Sequence, residues 1–492
     1  MLAGAVLRVL AQLAYRPALI YIDTPKYLVT SDGTEPEGYR VFVRVVRDLG
    51  GLGLVTAAQH LMGLAMGMAL YVLLVWRGAP RWAAALAAAP VLLDSYQLVL
   101  EQNVMPDVVF ETLLTAGIVL LAWPNGPRWR LFALGALTLG AAVDIREIGL
   151  VLIVPLVAFV ALVARGWRQL LRNVTVAIVA FAIPVLSYMS IAYSVGGHFA
   201  LVSNPQPLIY GRTAYAADCA TLKVPSAERL LCPSPVVVRS LNQGIDSLQH
   251  SPRWSPLTLL RGRYQRKKSV LAHDFAMAVV RQQPLRVVES VARDSMRLFA
   301  VTRDGSSRIT DITRFQFQTS YPYYPPNTTA GLDTRMAHSP PRVSKPLATT
   351  LRSYQLDGGY TPGPLLLACL IAAVLALLAG ALAALPQVYR RVAATSGWRI
   401  PAPLQPWGRW GRWRADTEAA AACLLVFLAG ASTLLASDFY EFSWRYQLPA
   451  LVTIPVGGVL GVLTLAKLRR QSLPPSDERL VEAAIADITT DG

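Results

Sequence analysis

Ten apolar runs divide the chain, approximately at 2–21, 52–76, 82–99, 107–123, 131–144, 148–164, 173–195, 363–385, 417–437 and 445–466. A helix needs about 20 apolar residues to cross the hydrocarbon of a bilayer, and several runs approach or exceed that. The pattern predicts an all-α polytopic membrane protein with about ten transmembrane helices. Residues 1–195 are expected to form an N-terminal transmembrane core, and 363–466 the C-terminal membrane helices around a loop at 386–416. The polar, acidic tail 467–492 is expected to be disordered. The first run is interrupted by Arg8 and Arg16. It lacks a charged leader and a small-residue cleavage site, so no removable signal peptide is read there. It is either a short, tilted helix or one whose start is incomplete.

Between the seventh and eighth runs lies a segment, 196–362, too long for a simple loop. Within 265–300, Val270, Leu271, Phe275, Val279, Leu285, Val288, Val291 and Leu298 recur at spacings near 3.6, which predicts helix, and Pro284 splits it in two. The flanking stretches are rich in Pro, Ser, Asn, Gly and Tyr. A mixed, partly helical external module is expected.

Composition agrees with the membrane reading: 54% of residues are hydrophobic and 15% charged. The net charge of +16 first suggests a nucleic-acid partner. The basic residues, however, cluster in short loops beside apolar runs, and there is no zinc finger, helix-turn-helix or basic-aromatic pattern, which argues against nucleic acid. Arg77, Arg81, Arg128, Arg130, Arg165, Arg168, Arg172, Arg390, Arg391, Arg399, Arg409, Arg412, Arg414, Lys467, Arg469 and Arg470 all fall on one side of a ten-helix topology. The positive-inside rule makes that side cytoplasmic, which places both termini in the cytoplasm and the chain in the plasma membrane. Arg40, Arg44 and Arg47 depart from the rule. Together with Tyr39, Val41, Phe42, Val45 and Val46 they fit an amphipathic helix lying on the outer face against membrane lipids, or a plain solvated face. Trp398, Trp407, Trp410 and Trp413 suit an interfacial belt. Cys369 and Cys423 lie in apolar helices, whereas Cys219 and Cys232 lie in the external module, where an oxidising compartment would pair them. Asn327-Thr328-Thr329 fits a glycosylation acceptor, without consequence in a bacterium, which the Ala/Arg-heavy composition suggests.

The outer side then receives Asp23, Glu101, Asp107, Asp144, Arg146, Glu147, Asp438, Glu441 and Arg445. An ionisable group at a membrane boundary is costly and marks a candidate site. His60, inside the second run, is the main polar exception at a helix centre. It is either a structural imidazole or a substrate-binding one.

Several short motifs keep a common order. Asp23 follows the first run with Tyr27 four residues on, and Gly38-Tyr39 precedes the amphipathic stretch. Glu-Gln-Asn-Val-Met-Pro-Asp-Val-Val-Phe spans 101–110, and Trp444-Arg445-Tyr446-Gln447-Leu448-Pro449 opens the last run. In this the chain resembles the polytopic glycosyltransferases of the GT-C fold, in particular the bacterial relatives of protein O-mannosyltransferases and lipid A aminoarabinose transferases. The resemblance covers most of 15–200 and 440–465. It implies a polyprenyl-phosphate-linked sugar as donor and a glycan, lipid or protein acceptor on the outer face. It also implies inversion at the anomeric carbon, with Asp23 as general base for a hydroxyl that is a poor nucleophile unaided. Glu101 would be a second acidic group of the catalytic loops, with Asp107 beside it. The leaving lipid phosphate calls for arginine, whose planar fork binds phosphate oxygens in pairs. Arg445 and Arg146 are the candidates, with Lys26, Tyr27 and Tyr446 as further substrate contacts. No cofactor is firmly implied, and a divalent cation is left open, although there is no tight Asp-x-Asp pair.

Two departures stand out. Asp23 is followed by Thr24 where the mannosyltransferases have a second acid, and Arg146 is flanked by Asp144 and Glu147, which would hold it. Plainer readings compete. Asp23 would pair with Lys26, Asp107 would cap a helix N-terminus, and Arg445 would bridge to Glu441 or Asp438. Two other function classes remain: a transporter or flippase of an envelope lipid, which predicts charges deep in the helices, and a non-catalytic envelope assembly protein.

Overall fold

The computed structural model describes all residues except 22, 29–30, 125–127, 165, 205–208, 304, 306–307, 321–341, 397–416 and 473–492. Helix side chains at 128, 263, 266, 383–396, 417 and 470–472 are not described either. Residues 397–416 of the Trp/Arg loop, the Asn327 acceptor and residues 473–492 of the tail therefore lie outside the described residues, as do the placement of Arg165 and the side chains of Arg128, Arg390 and Arg391. The first part of the expected loop, 386–396, and of the expected tail, 467–472, is helical instead, continuing the helices before them.

The chain is an all-α polytopic membrane protein, and each apolar run is helical over most of its length. Among the described residues, five helices are long and apolar enough to cross a membrane: Gly38–Trp76, Trp167–Gly196, Gly363–Leu382, Glu418–Tyr440 and Leu448–Arg469. Arg81–Leu93 and Ser95–Gln102, bent by 45°, make a sixth if taken as one broken span. Leu2–Ala14, Trp129–Val143 and Glu147–Leu162 are apolar but shorter. The difference from ten is one of length, and local chemistry explains it. Pro17 cannot donate to a helix and disfavours helical geometry before it, so the first helix stops at Ala14 and the chain runs on extended. Asp94 ends one helix and caps the next through Tyr96 N. The sixth run opens as a 3-10 turn, Glu147–Leu152.

The last helix, Leu448–Ser472, packs against Gly363–Ser396 and Thr417–Tyr440, while Arg128–Val143 lies against Asp107–Ala122 and Trp167–Gly196. One apolar core joins them, through Leu70, Phe110, Leu139, Leu156, Val426 and Leu460. The amphipathic stretch forms the first part of the Gly38–Trp76 helix, which kinks at Gly50 and Gly51, the latter at φ 76° where a side chain would be strained. Tyr39 and Val43 face the protein, while Val41, Val45 and Leu49 are exposed.

The central module is helical where the periodicity predicts it: Lys268–Gln282 and Pro284–Ser295, separated at Pro284. It has its own core around Tyr210, Leu231, Leu248, Leu271, Phe275 and Val279. Cys219 and Cys232 are joined in a disulfide, with Cα atoms 6.0 Å apart. Two short strands tie the module to the start of the chain, Tyr15–Arg16 pairing antiparallel with Arg342–Val343.

Candidate active site

The extended segment after Pro17 lies beside the loop that follows Ser95–Gln102. Leu19 N donates to Gln102 O and Val104 N to Leu19 O. Thr24 then closes the turn that carries Asp23. Its Oγ accepts from Tyr21 N at 2.8 Å and donates to Val104 O at 3.2 Å, and the residue is fully buried. The residue after Asp23 thus supplies a hydroxyl that pins two loops together.

Asp23, a quarter exposed, accepts from Arg445 Nη1 at 3.0 Å. Arg445 is 4% exposed and donates through Nε to both oxygens of Asp107, at 3.1 and 2.9 Å. Asp107, the first residue of its helix and 2% exposed, also accepts from Arg146 Nη1. The guanidinium of Arg445 lies 5.6 Å from the Tyr21 ring centre and 5.4 Å from that of Tyr446, and Arg146 lies 5.1 Å from Tyr446. Two arginines are therefore clamped side by side by one buried carboxylate and backed by aromatic faces. Desolvated cations gain from such rings, and removing one partner of a buried pair costs about 3–5 kcal/mol. Arg146 is held by Asp107, not by its neighbours Asp144 and Glu147. Arg445 pairs with Asp107 and Asp23, not with Glu441 or Asp438. Gly38 permits this packing: its N donates to Asp144 O, and a Cβ there would fall 2.3 Å from that oxygen.

The cluster opens into a cavity of about 1020 Å³. Asp23, Lys26, Arg146, Arg445 and Tyr446 line it. Lys26 lies 3.8 Å from Asp23 and 3.3 Å from Asp32, so its pairing with Asp23 is the looser one. Tyr27 is buried behind the wall, its hydroxyl donating at 3.0 Å to Glu35, which does line the cavity. Asp107 does not reach the cavity and acts by holding the arginines.

Glu101 and His60 are not at this site. Glu101 is fully buried, with Arg8 Nη2 at 2.7 Å from Oε1 and His60 Nδ1 at 2.8 Å from Oε2. His60 Nε2 contacts Gln102 Oε1 at 2.7 Å, and Arg8 also donates to the carbonyls of Gly4, Val91 and Leu92. A Cβ on Gly63 would fall 2.0 Å from Glu101 Oε1, so the carboxylate occupies space that only glycine leaves. Glu101, expected as catalytic, and His60, expected as substrate-binding, thus lie inside the bundle and not on the cavity wall that the other candidates share. The Ser95–Gln102 helix is buried on every side and turns Glu101 into the bundle, whereas Asp107 begins a new helix directed elsewhere.

Of the far wall, the sequence points only to Glu441. The central module supplies Asp246 and His250 from one short helix and Arg314 from a 3-10 turn, and the end of the Thr417–Tyr440 helix supplies Tyr440 and Glu441. His250 Nε2 contacts Tyr440 Oη at 3.3 Å. Partial desolvation at the cavity wall lowers the pKa of this imidazole against the opposing pull of Asp246. Burial, reinforced by Asp246, raises the Glu441 carboxyl to about 7, although Thr310 donates to it at 2.8 Å. The one sequence signal was the nearness of Tyr440-Glu441 to Trp444-Arg445. Among the described residues no group of three or more His, Cys, Asp or Glu is disposed to hold a metal ion.

No family model and no curated protein matches the chain. Among solved structures it is similar to ArnT from Cupriavidus metallidurans bound to undecaprenyl phosphate. The match has 15% identity over 96% of this chain and 80% of that one, at a TM-score of 0.34. The apo form of the same protein gives 14% identity over the same shares, at 0.33. The S. cerevisiae protein O-mannosyltransferase Pmt1-Pmt2 complex bound to the sugar donor matches at 15% identity and a TM-score of 0.32. There the match covers 42% of this chain and 36% of that one.

Proposed function

We propose that the chain is a membrane glycosyltransferase that moves a sugar from a polyprenyl-phosphate donor to a cell-envelope acceptor. The carrying observation is that Asp23 meets Arg445 at 3.0 Å on the wall of a large cavity, while Asp107 holds that same arginine from behind. In this reading the arginines are the phosphate pole. Asp107 keeps the Nε edge of Arg445, leaving its Nη edge to turn from Asp23 to a phosphate oxygen, and Arg146 stands beside it. Arrival of the lipid phosphate then releases Asp23 for chemistry.

The acceptor hydroxyl attacks the anomeric carbon from the side opposite the phosphate. Asp23 takes its proton, the carbon–oxygen bond to phosphate breaks, and the electron pair leaves with the lipid phosphate, stabilised by Arg445 and Arg146. Configuration at the anomeric carbon inverts. The cavity faces the outer side of the plasma membrane and both termini are cytoplasmic, following the loop charges. The buried Arg8–Glu101–His60 cluster does not favour a transporter, since each of these side chains has a protein partner and none lines the cavity. The test is to incubate the reconstituted protein with radiolabelled polyprenyl-phosphate sugars and a cell-envelope extract. Label leaving the lipid supports the reading, and retention of every label on its lipid overturns it.

A further inference from the structure

Arg303 belongs to none of the machinery described so far, yet it is one of the most enclosed cations in the molecule. Its side chain is 5% exposed and that of its partner Asp94 is fully buried. Nη1 and Nη2 donate to the two oxygens of Asp94 at 3.2 and 2.8 Å, a fork-to-fork pair. Three rings surround the guanidinium: Tyr96 at 4.5 Å, Tyr360 at 5.0 Å and Trp444 at 5.3 Å. Asp94 also accepts from Tyr96 N at 3.0 Å and Thr361 N at 2.7 Å, and Tyr354 Oη donates to Leu93 O at 2.6 Å. Arg303 therefore stands where the break in the Arg81–Gln102 helix pair, two stretches of the central module and the loop before the last helix all meet.

Trp444 immediately precedes Arg445. It is 3% exposed and packs edge-on against Phe442 at 5.2 Å. Tyr446 N donates to Ser443 O and Leu448 N to Arg445 O, so the loop is a tight turn with little slack. We propose that Arg303 is a positioning residue: through the cage that holds Trp444 it sets where Arg445 presents its Nη edge to the lipid phosphate. This rests on the reading of Arg445 as a phosphate ligand. A shift of about 1 Å in a positioning element far from the chemistry costs up to roughly a hundredfold in rate. Lysine at 303 keeps the charge facing Asp94 but loses both the fork and the flat face that fits among three rings.

The test is equilibrium binding of two probes, undecaprenyl phosphate and undecaprenol, to the full-length protein in lipid nanodiscs. Thermal unfolding is recorded alongside. Arg303→Lys and Trp444→Leu are expected to weaken undecaprenyl phosphate about tenfold, roughly 1.4 kcal/mol, and to leave undecaprenol nearly unchanged. A merely structural role would lower both affinities together and the unfolding temperature with them, and would overturn the proposal, as would variants that keep the wild-type preference for the phosphate. If Arg303→Lys or Trp444→Leu does not fold, Trp444→Phe removes the outer ring at smaller cost and makes the same comparison. Arg445→Gln separates the two claims. If it keeps the preference for the phosphate, the reading of Arg445 fails. If it loses that preference while the Arg303 and Trp444 variants keep it, the positioning role alone fails.

Discussion

Asp107 and Arg445 stand 338 residues apart in sequence and share two hydrogen bonds, from Nε to Oδ1 at 3.1 Å and to Oδ2 at 2.9 Å. Because Asp107 also binds Arg146, one carboxylate holds two guanidinium groups, Arg445 buried and Arg146 at the cavity wall. Asp107→Asn keeps the shape and removes the charge. The expected outcome is a stability loss of about 3–5 kcal/mol, the usual cost of stranding a buried charge, read as a lower unfolding temperature in detergent. In the fraction that remains folded, undecaprenyl phosphate affinity should fall at least tenfold, since nothing then fixes the Nε edge of Arg445 and Asp23 is left as its sole carboxylate partner.

Glu101 predicts a different pattern. Its partners Arg8 and His60 lie inside the bundle, away from the cavity. Glu101→Gln should destabilise by a similar amount while leaving transfer per folded molecule within about twofold of wild type. The double variant Arg8→Met, Glu101→Leu should be less destabilised than Glu101→Gln, because no charge is left stranded. Unfolding midpoints together with turnover normalised to folded protein check both statements. A selective loss of turnover would return Glu101 to the active site.

Glu441 sets a pH dependence. Burial, with Asp246 adding to it, raises its carboxyl from 4.5 to about 7 in the folded protein. The folded state then holds this proton more tightly than the unfolded state, so the contribution to stability is fully present below about pH 4.5 and is lost as pH rises towards 7. The difference in unfolding temperature between wild type and Glu441→Gln should change across pH 4.5–7, with wild type losing ground as the pH rises. A constant difference across that window would contradict the assignment.

Much of the fold is legible in the sequence because membrane helices announce themselves in apolar runs. Pro284 likewise divides the module's helices where it stands. Breaks set by single residues are harder to see. Asp94 lies within a continuous apolar stretch, and only the structure gives it Tyr96 N, Thr361 N and Arg303 as partners. At the site, Asp23, Arg146 and Arg445 are legible from their places at helix ends and Lys26 and Tyr446 from the resemblance alone, and all five line one cavity. Glu101 misleads because its neighbour Asp107 is only six residues away. Yet one ends up on a helix buried all round and the other begins a separate helix. The Asp246, His250 and Arg314 wall carries no motif, and only the docking of the central module onto the membrane helices creates it.

The most direct measurement compares Asp23→Asn with wild type in the radiolabelled transfer assay, with undecaprenyl phosphate binding recorded on the same samples. Asparagine keeps an oxygen acceptor for Arg445 but cannot serve as a general base, a role worth about 10²–10⁴-fold. The account predicts transfer reduced by at least a hundredfold, with lipid phosphate still bound at near wild-type affinity. Transfer at the wild-type rate by a folded Asp23→Asn protein would contradict it.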